Sequence, residues 1–210
     1  MKKSQGQRAR RLGEKAARRK AVVAEKRKAE IAASAGGLGR TVKAAATGPI
    51  HACLLHRGLF VDGIGQLIVA RSLPSGHVAA ALFLVDAFCL GVKDVFFREM
   101  TAQEFADVVE GLSMSMDLGE YDPACARKLV RDAVSYAAEL GFPPPKDFAA
   151  IEPIFGDLDA AGCAESFTFG KDGKPYFIAG PHDTPQRARV ILQTLERTQG
   201  PGGYEYMIPV

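Results

Sequence analysis

Asp157 and Asp159, two residues apart around Leu158, are the carboxylates of this chain best spaced for chemistry. On extended backbone, residues i and i+2 project to one side, so both side chains could reach a single hard cation. Asp86 is the third candidate. It is the only charged residue between Val78 and Val92, and it closes the longest apolar run of the sequence. With Asp62 and Asp183 these residues could assemble a Mg²⁺ or Mn²⁺ site for phosphodiester hydrolysis. The same residue types also serve turns and helix caps, where an aspartate accepts from nearby backbone amides. An acid among apolar neighbours needs a partner, and Lys93 is the nearest base in sequence to Asp86.

Other chemistry has weaker footing. His51 and His56 fall on one expected strand with an odd separation, which points them to opposite faces. His77 belongs to a turn, and His182 precedes a helix start where an anion could sit. Ser75 lacks the flanking pattern of a nucleophile elbow. Lys171 to Lys174 lacks the spacing of a phosphate loop. Tyr176, Phe177, Tyr204 and Tyr206 could offer a stacking surface for bases, or simply fill a core.

The strongest compositional signal is electrostatic. Residues 1–43 carry 14 of the 27 lysines and arginines against three acids, a net +11, which leaves −8 on residues 44–210. Lys2, Lys3, Arg8, Arg10, Arg11, Lys15, Arg18, Arg19, Lys20, Lys26, Arg27 and Lys28 are the candidate phosphate contacts. A basic tail on an acidic body points to a polyanion partner, nucleic acid or the ribosome, bound through its backbone without sequence preference. Alanines between the clusters favour helix from about Arg8 to Ala33. Leu12, Val22, Val23 and Ile31 form no continuous stripe, so this segment is expected to be a helical or disordered arm. Ser34 to Gly39 reads as a flexible, Gly-rich linker.

With 210 residues, the chain can hold one domain plus an appendage, divided here as 1–43 and 44–210. Cys53, Cys89, Cys125 and Cys163 show no C-x-x-C spacing and read as reduced, buried small hydrophobes, an expectation that places the protein in the cytoplasm. The basic start is followed by no apolar signal segment, and the longest apolar run is short of a bilayer span and interrupted by Asp86, so no membrane association is expected.

These residues must be held by a scaffold whose centre is residues 65–97. Two apolar runs flank Pro74-Ser75-Gly76, with Pro74 suited to the first central position of a turn and Gly76 to positive φ. The second run lacks alternation, and Ala79 to Ala81 favour helix, yet Phe83, Val85 and Phe88 favour strand, so the stretch reads as a buried hairpin. Pro49 to His56 forms a first strand. Thr101-x-x-Glu104 is a capping box for a helix to about Ser113, with Met114 and Met116 as gap fillers in the core. Asp122-Pro123 opens a second helix with an apolar stripe from Ala126 to Leu140. A second hairpin is expected from 166–169 and 175–179 around Asp172-Gly173, then a helix from Pro185 and a terminal strand from Tyr204. The expected class is α+β, an antiparallel or mixed sheet built from two hairpins with about three helices packed on one face.

The leading expectation is a nucleic-acid- or ribosome-associated accessory protein, with no cofactor required and the body's own task unassigned. A metal-dependent phosphodiesterase or nuclease using Asp86, Asp157 and Asp159 is the first alternative. A protein-interaction module with an incidental basic tail is the second.

Overall fold

The computed structural model describes residues 36–180 and 183–208. The arm residues 1–35 and His182 therefore lie outside the described residues.

The fold is α+β, built on a five-stranded antiparallel sheet. A first helix, α1, covers residues 36–45. Strand β1 (Ile50–His56), the short helix α2 (Leu59–Asp62) and strands β2 (Ile64–Ser72), β3 (His77–Asp86) and β4 (Gly91–Thr101) follow. Next come helix α3 (Ala102–Ser113), β5 (Leu118–Glu120) and helix α4 (Pro123–Glu139). The chain continues through α5 (Phe148–Ile151), 3₁₀ segments at Glu152–Phe155 and Ala160–Gly162, β6 (Tyr176–Ile178), α6 (Pro185–Gln199) and β7 (Glu205–Met207). The strand order β4-β3-β2-β1-β5 places β2 and β3 near the middle.

The central hairpin forms as the sequence predicts. Ser72 pairs with Val78 across the Pro74-Ser75-Gly76 turn, and Gly76 takes φ +79°. The second apolar run bends back at residues 87–90, so it supplies two strands and the β3–β4 turn between them. Its missing alternation has a physical cause. Val69, Ala79, Ala81 and Phe83 pack on one face of the sheet against α1, α4 and the 3₁₀ segment Glu152–Phe155. Ile68, Ala70, Val78 and Ala80 pack on the other against Phe105 of α3. Strands covered on both faces need apolar residues at every position. Helices thus cover both faces, where the sequence reading placed them on one.

Local signals held at α3 and α4. Thr101 and Glu104 complete their reciprocal capping box, and Asp122 caps α4 with Pro123 in its first turn. Met114 does not fill a gap, since 87% of its surface is exposed at the end of α3.

Three expectations are corrected. The Gly-rich stretch read as a linker is helical from residue 36. Leu38, Val42 and Ala45 fall at helical spacing and pack on the core, with Val42 fully buried. That burial outweighs a cost of about 1 kcal/mol per helical glycine. The second hairpin keeps only its turn. Asp172 and Gly173 take φ +51° and +79°, and Lys171 bridges Lys174. Residues 166–169 form no strand, because Phe167 stacks on Phe60 and Phe169 on Tyr136. Strand β6 pairs instead with the terminal β7, in parallel.

The third correction concerns the cysteines. Cys125 and Cys163 form a disulfide between the start of α4 and the end of the second 3₁₀ segment, with Cα atoms 4.9 Å apart. Their separation of 38 residues carries no spacing signal, so only the fold brings them together. Cys53 and Cys89 are free and buried as expected. A disulfide persists in oxidising surroundings, so the cysteines no longer support a reducing compartment. Among the described residues, no helix is long and apolar enough to cross a membrane.

Leu129 is fully buried at the centre of the α4 stripe. Leu129→Ala is expected to destabilise the protein by about 2–5 kcal/mol. Urea denaturation checks this, and an unchanged midpoint would refute the packing of α4. Opening the disulfide is expected to cost about 2–4 kcal/mol. A melting temperature that ignores reductant would show that the bond adds nothing to stability.

Candidate anion-binding site

The carboxylates proposed for metal binding are employed locally. Asp86 is 6% exposed, and its Oδ1 accepts from the amides of Phe88 (3.1 Å) and Cys89 (2.9 Å), which closes the β3–β4 turn. Burial pushes its carboxyl up to about 6, partly opposed by the Cys89 amide and by Lys93. Lys93 itself makes its short ion pair with Asp183, at 2.8 Å. Asp183 also accepts from the Gly180 amide and lies 3.3 Å from Arg187 Nε. Burial raises the Asp183 carboxyl, but Lys93, the Gly180 amide and Arg187 outweigh it and leave it below the usual range. This pair fastens the start of α6 to β4.

Asp159 caps the second 3₁₀ segment by accepting from the Ala161 amide at 2.9 Å. Asp157 lines a different feature, described next. Among the described residues, no group of three His, Cys, Asp or Glu side chains is placed to hold a metal ion.

The histidines are separate. His51 lies 3.2 Å from Ser72 Oγ and meets the Phe105 ring edge-on. An irregularity in the β1–β2 register beside it upsets the simple alternation used to place it. His56 is buried, with Nε2 at 2.7 Å from Asp62 Oδ2 and Nδ1 at 3.4 Å from the Asp117 carbonyl. His77 sits beside Ser75 at the hairpin turn. Of the aromatic set, Phe177 is fully buried, while Tyr204 and Tyr206 lie side by side at the end of the chain.

The feature that sequence reading missed is Arg71. It stands at the end of β2, at the alternation position of Leu67 and Val69, so its side chain enters the helix-covered side of the sheet. It is only 5% exposed. Nε donates to the Ile154 carbonyl at 3.0 Å, Nη1 to Gly48 at 3.0 Å and Nη2 to Phe155 at 2.6 Å. No carboxylate of the described residues lies within ion-pair distance of it. Burial pulls the guanidinium below its ordinary range, an effect that Asp157 partly reverses.

Arg71 opens onto a cleft of about 860 Å³, together with Lys43 of α1, Arg127 of α4, Glu152 and Asp157. Arg127 Nη1 donates to the carbonyls of Gly156 (3.0 Å) and Leu158. Its buried Nε has no hydrogen-bond partner and lies 3.5 Å from Glu152. Glu152 is taken more closely by Arg131, at 3.0 Å. Two glycines permit this closeness. A Cβ on Gly48 would stand 2.2 Å from the Ser72 carbonyl oxygen, and one on Gly156 (φ +63°) would stand 3.1 Å from Arg71 Nη2. The arrangement is a basic cleft in which fixed guanidinium groups could receive an oxyanion. A charged residue inside the apolar run Leu67 to Leu73 was the available signal, the counterpart of Asp86 in the next run.

The interaction-module alternative expects an exposed apolar patch. Val190 of α6 and Tyr206, Met207 and Ile208 at the chain's end are exposed, and a wide groove runs between α6 and the end of the chain.

No protein-family model, curated protein or solved structure matches the chain, so its function is read from its own residues.

Asp86 gives a pH prediction. Between about 3.8, its ordinary value, and about 6, the native state binds more protons than the unfolded chain, so its contribution to stability falls as pH rises through that window. Asp86→Asn keeps an acceptor for the turn amides and removes the buried charge. The variant is expected to melt at or above the wild type at pH 7, with the gap closing toward pH 4. A gap that does not change with pH would refute this account of Asp86.

Proposed function

We propose that the protein is a nucleic-acid- or ribosome-associated accessory protein whose basic arm supplies affinity for phosphate. The observation that carries this reading is the division of charge, +11 on residues 1–43 against −8 on the remainder. No aromatic residue occurs among the first 43, so base stacking adds nothing there and the contact is with the backbone. The acidic body repels a polyanion by itself, which leaves attraction to the arm. Two features of the described residues fit this role. Helix α1 fixes the end of the arm to the core through Val42, and Lys43 one residue later lies on the basic cleft.

The burial of Val42 decides how the proposal is tested. Removing residues 1–43 would take a core residue with the arm. Replacing Arg18, Arg19, Lys20, Lys26, Arg27 and Lys28 by Gln in the full chain removes charge alone. The wild type is expected to bind RNA and DNA without sequence preference, with log K falling against log salt by about 0.7–0.9 per phosphate neutralised. The substituted chain should bind more weakly and with a flatter slope, at an unchanged melting temperature. Equal affinity in the two proteins would overturn the proposal, and so would tight binding that ignores salt.

A further inference from the structure

We infer that the cleft between α1, the end of β2 and α4 is a binding site for a phosphate monoester, separate from the phosphate contacts of the arm. Among the described residues, His56, Arg71 and Asp86 are the polar or charged residues buried as a whole. His56 has Asp62, and Asp86 has backbone amides and can take up a proton. Arg71 has only carbonyl oxygens. Carbonyls satisfy N–H groups but leave a net charge in place, and a guanidinium does not shed its proton. A buried charge without a counter-charge is costly, so the site is poised for an anion.

The donors for such an anion are present. Nη1 and Nη2 of Arg71 each spend one N–H on a carbonyl, so each keeps a second. Arg127 Nε is buried without a hydrogen-bond partner. Lys43 is exposed on the rim and makes no hydrogen bond among the described residues.

Charge selects the class of ligand. Lys43, Arg71 and Arg127 line the cleft with two carboxylates, Asp157 and Glu152, and Glu152 is already paired with Arg131 from outside the cleft, which leaves two positive charges over. A phosphate monoester carries close to two negative charges at neutral pH, whereas a carboxylate or an internal phosphodiester carries one. At about 860 Å³ the cleft has room for more than the phosphate itself. The monoester can be the terminal phosphate of a nucleic acid or that of a small phosphorylated metabolite.

Asp157 gives the proposal a signed test. It is exposed, lines the cleft and is the carboxylate that acts on Arg71 from a distance, so it competes with any bound anion. The experiment is an NMR titration of the isotope-labelled full chain at constant ionic strength, read at the amides of Gly48 and Gly156. The probes are inorganic phosphate, acetate, a dinucleotide with and without a 5′-phosphate, and ribose 5-phosphate. Phosphate is expected to give saturable shifts at both glycines and acetate none. Lys43→Gln should weaken binding and Asp157→Asn should tighten it, each roughly two- to five-fold. Both substitutions are at exposed positions, so neither endangers the fold. Binding of ribose 5-phosphate as tight as that of the phosphorylated dinucleotide supports a small-molecule ligand. Preference for the dinucleotide, lost without its phosphate, supports a nucleic-acid end. Absence of saturable shifts at Gly48 and Gly156, or affinity unmoved by both substitutions, would overturn the site. The salt slope of the arm is read separately and does not depend on that outcome.

Discussion

The structure depends on the two-sided burial of the β2–β3 hairpin. Its strands lie inside the sheet, with α1, α4, α5 and a 3₁₀ segment on one face and α3 on the other. Most positions along them are therefore apolar, Gln66 near the start of β2 being an exception, and the buried charges enter near strand ends where other segments bring hydrogen-bonding partners. Arg71 is the last residue but one of β2 and Asp86 ends β3, at opposite ends of the hairpin, since Arg71 pairs with Ala79 and Asp86 with Ile64. The partners come from elsewhere in the chain. The loop at Gly48 and the 3₁₀ carbonyls of Ile154 and Phe155 close on Arg71, and the turn amides of Phe88 and Cys89 close on Asp86. Arg71 is in this way a fastening between three segments that are distant in sequence.

The two buried charges differ in how they can be relieved. A carboxyl can be neutralised by a proton, and burial raises the Asp86 carboxyl to about 6. Arginine has no such recourse. Its charge is either left uncompensated or met by an anion from outside. The same sheet thus contains one buried charge that closes a turn and one that opens onto a cleft, and the difference follows from their chemistry as much as from their position.

What was legible in the sequence was local. The capping box of Thr101 and Glu104, the Asp122-Pro123 start and the Pro74-Ser75-Gly76 turn involve neighbours within a few residues, and each formed. What was hidden depends on distant contacts. The glycines at 36, 37 and 39 oppose helix, but Leu38, Val42 and Ala45 find a sheet to pack on. Phe167 and Phe169 look like strand residues, yet their rings are taken by Phe60 and Tyr136. Cys125 and Cys163 meet across 38 residues. Asp157 and Asp159 read as a pair, but one caps a 3₁₀ segment while the other faces a cleft of arginines. In the sequence Arg71 is a single charge at the edge of an apolar run and resembles a strand terminus. Only the carbonyls folded around it mark it as different.

The connection between arm and cleft is the last consequence of the packing. Because Val42 is locked into the core, α1 is fixed on the body, and Lys43 lines the same cleft as Arg71 and Arg127. A polyanion attracted to the arm would be held near the cleft at an effective concentration set by the length of chain between them. Weak affinity for a single phosphate in the cleft would then suffice, because the arm makes the second contact intramolecular. On the proposed reading the arm alone would discriminate only by charge density, and the cleft alone would offer too few contacts for tight binding. Joined through α1, the two could distinguish a chain that ends in a phosphate from one that does not.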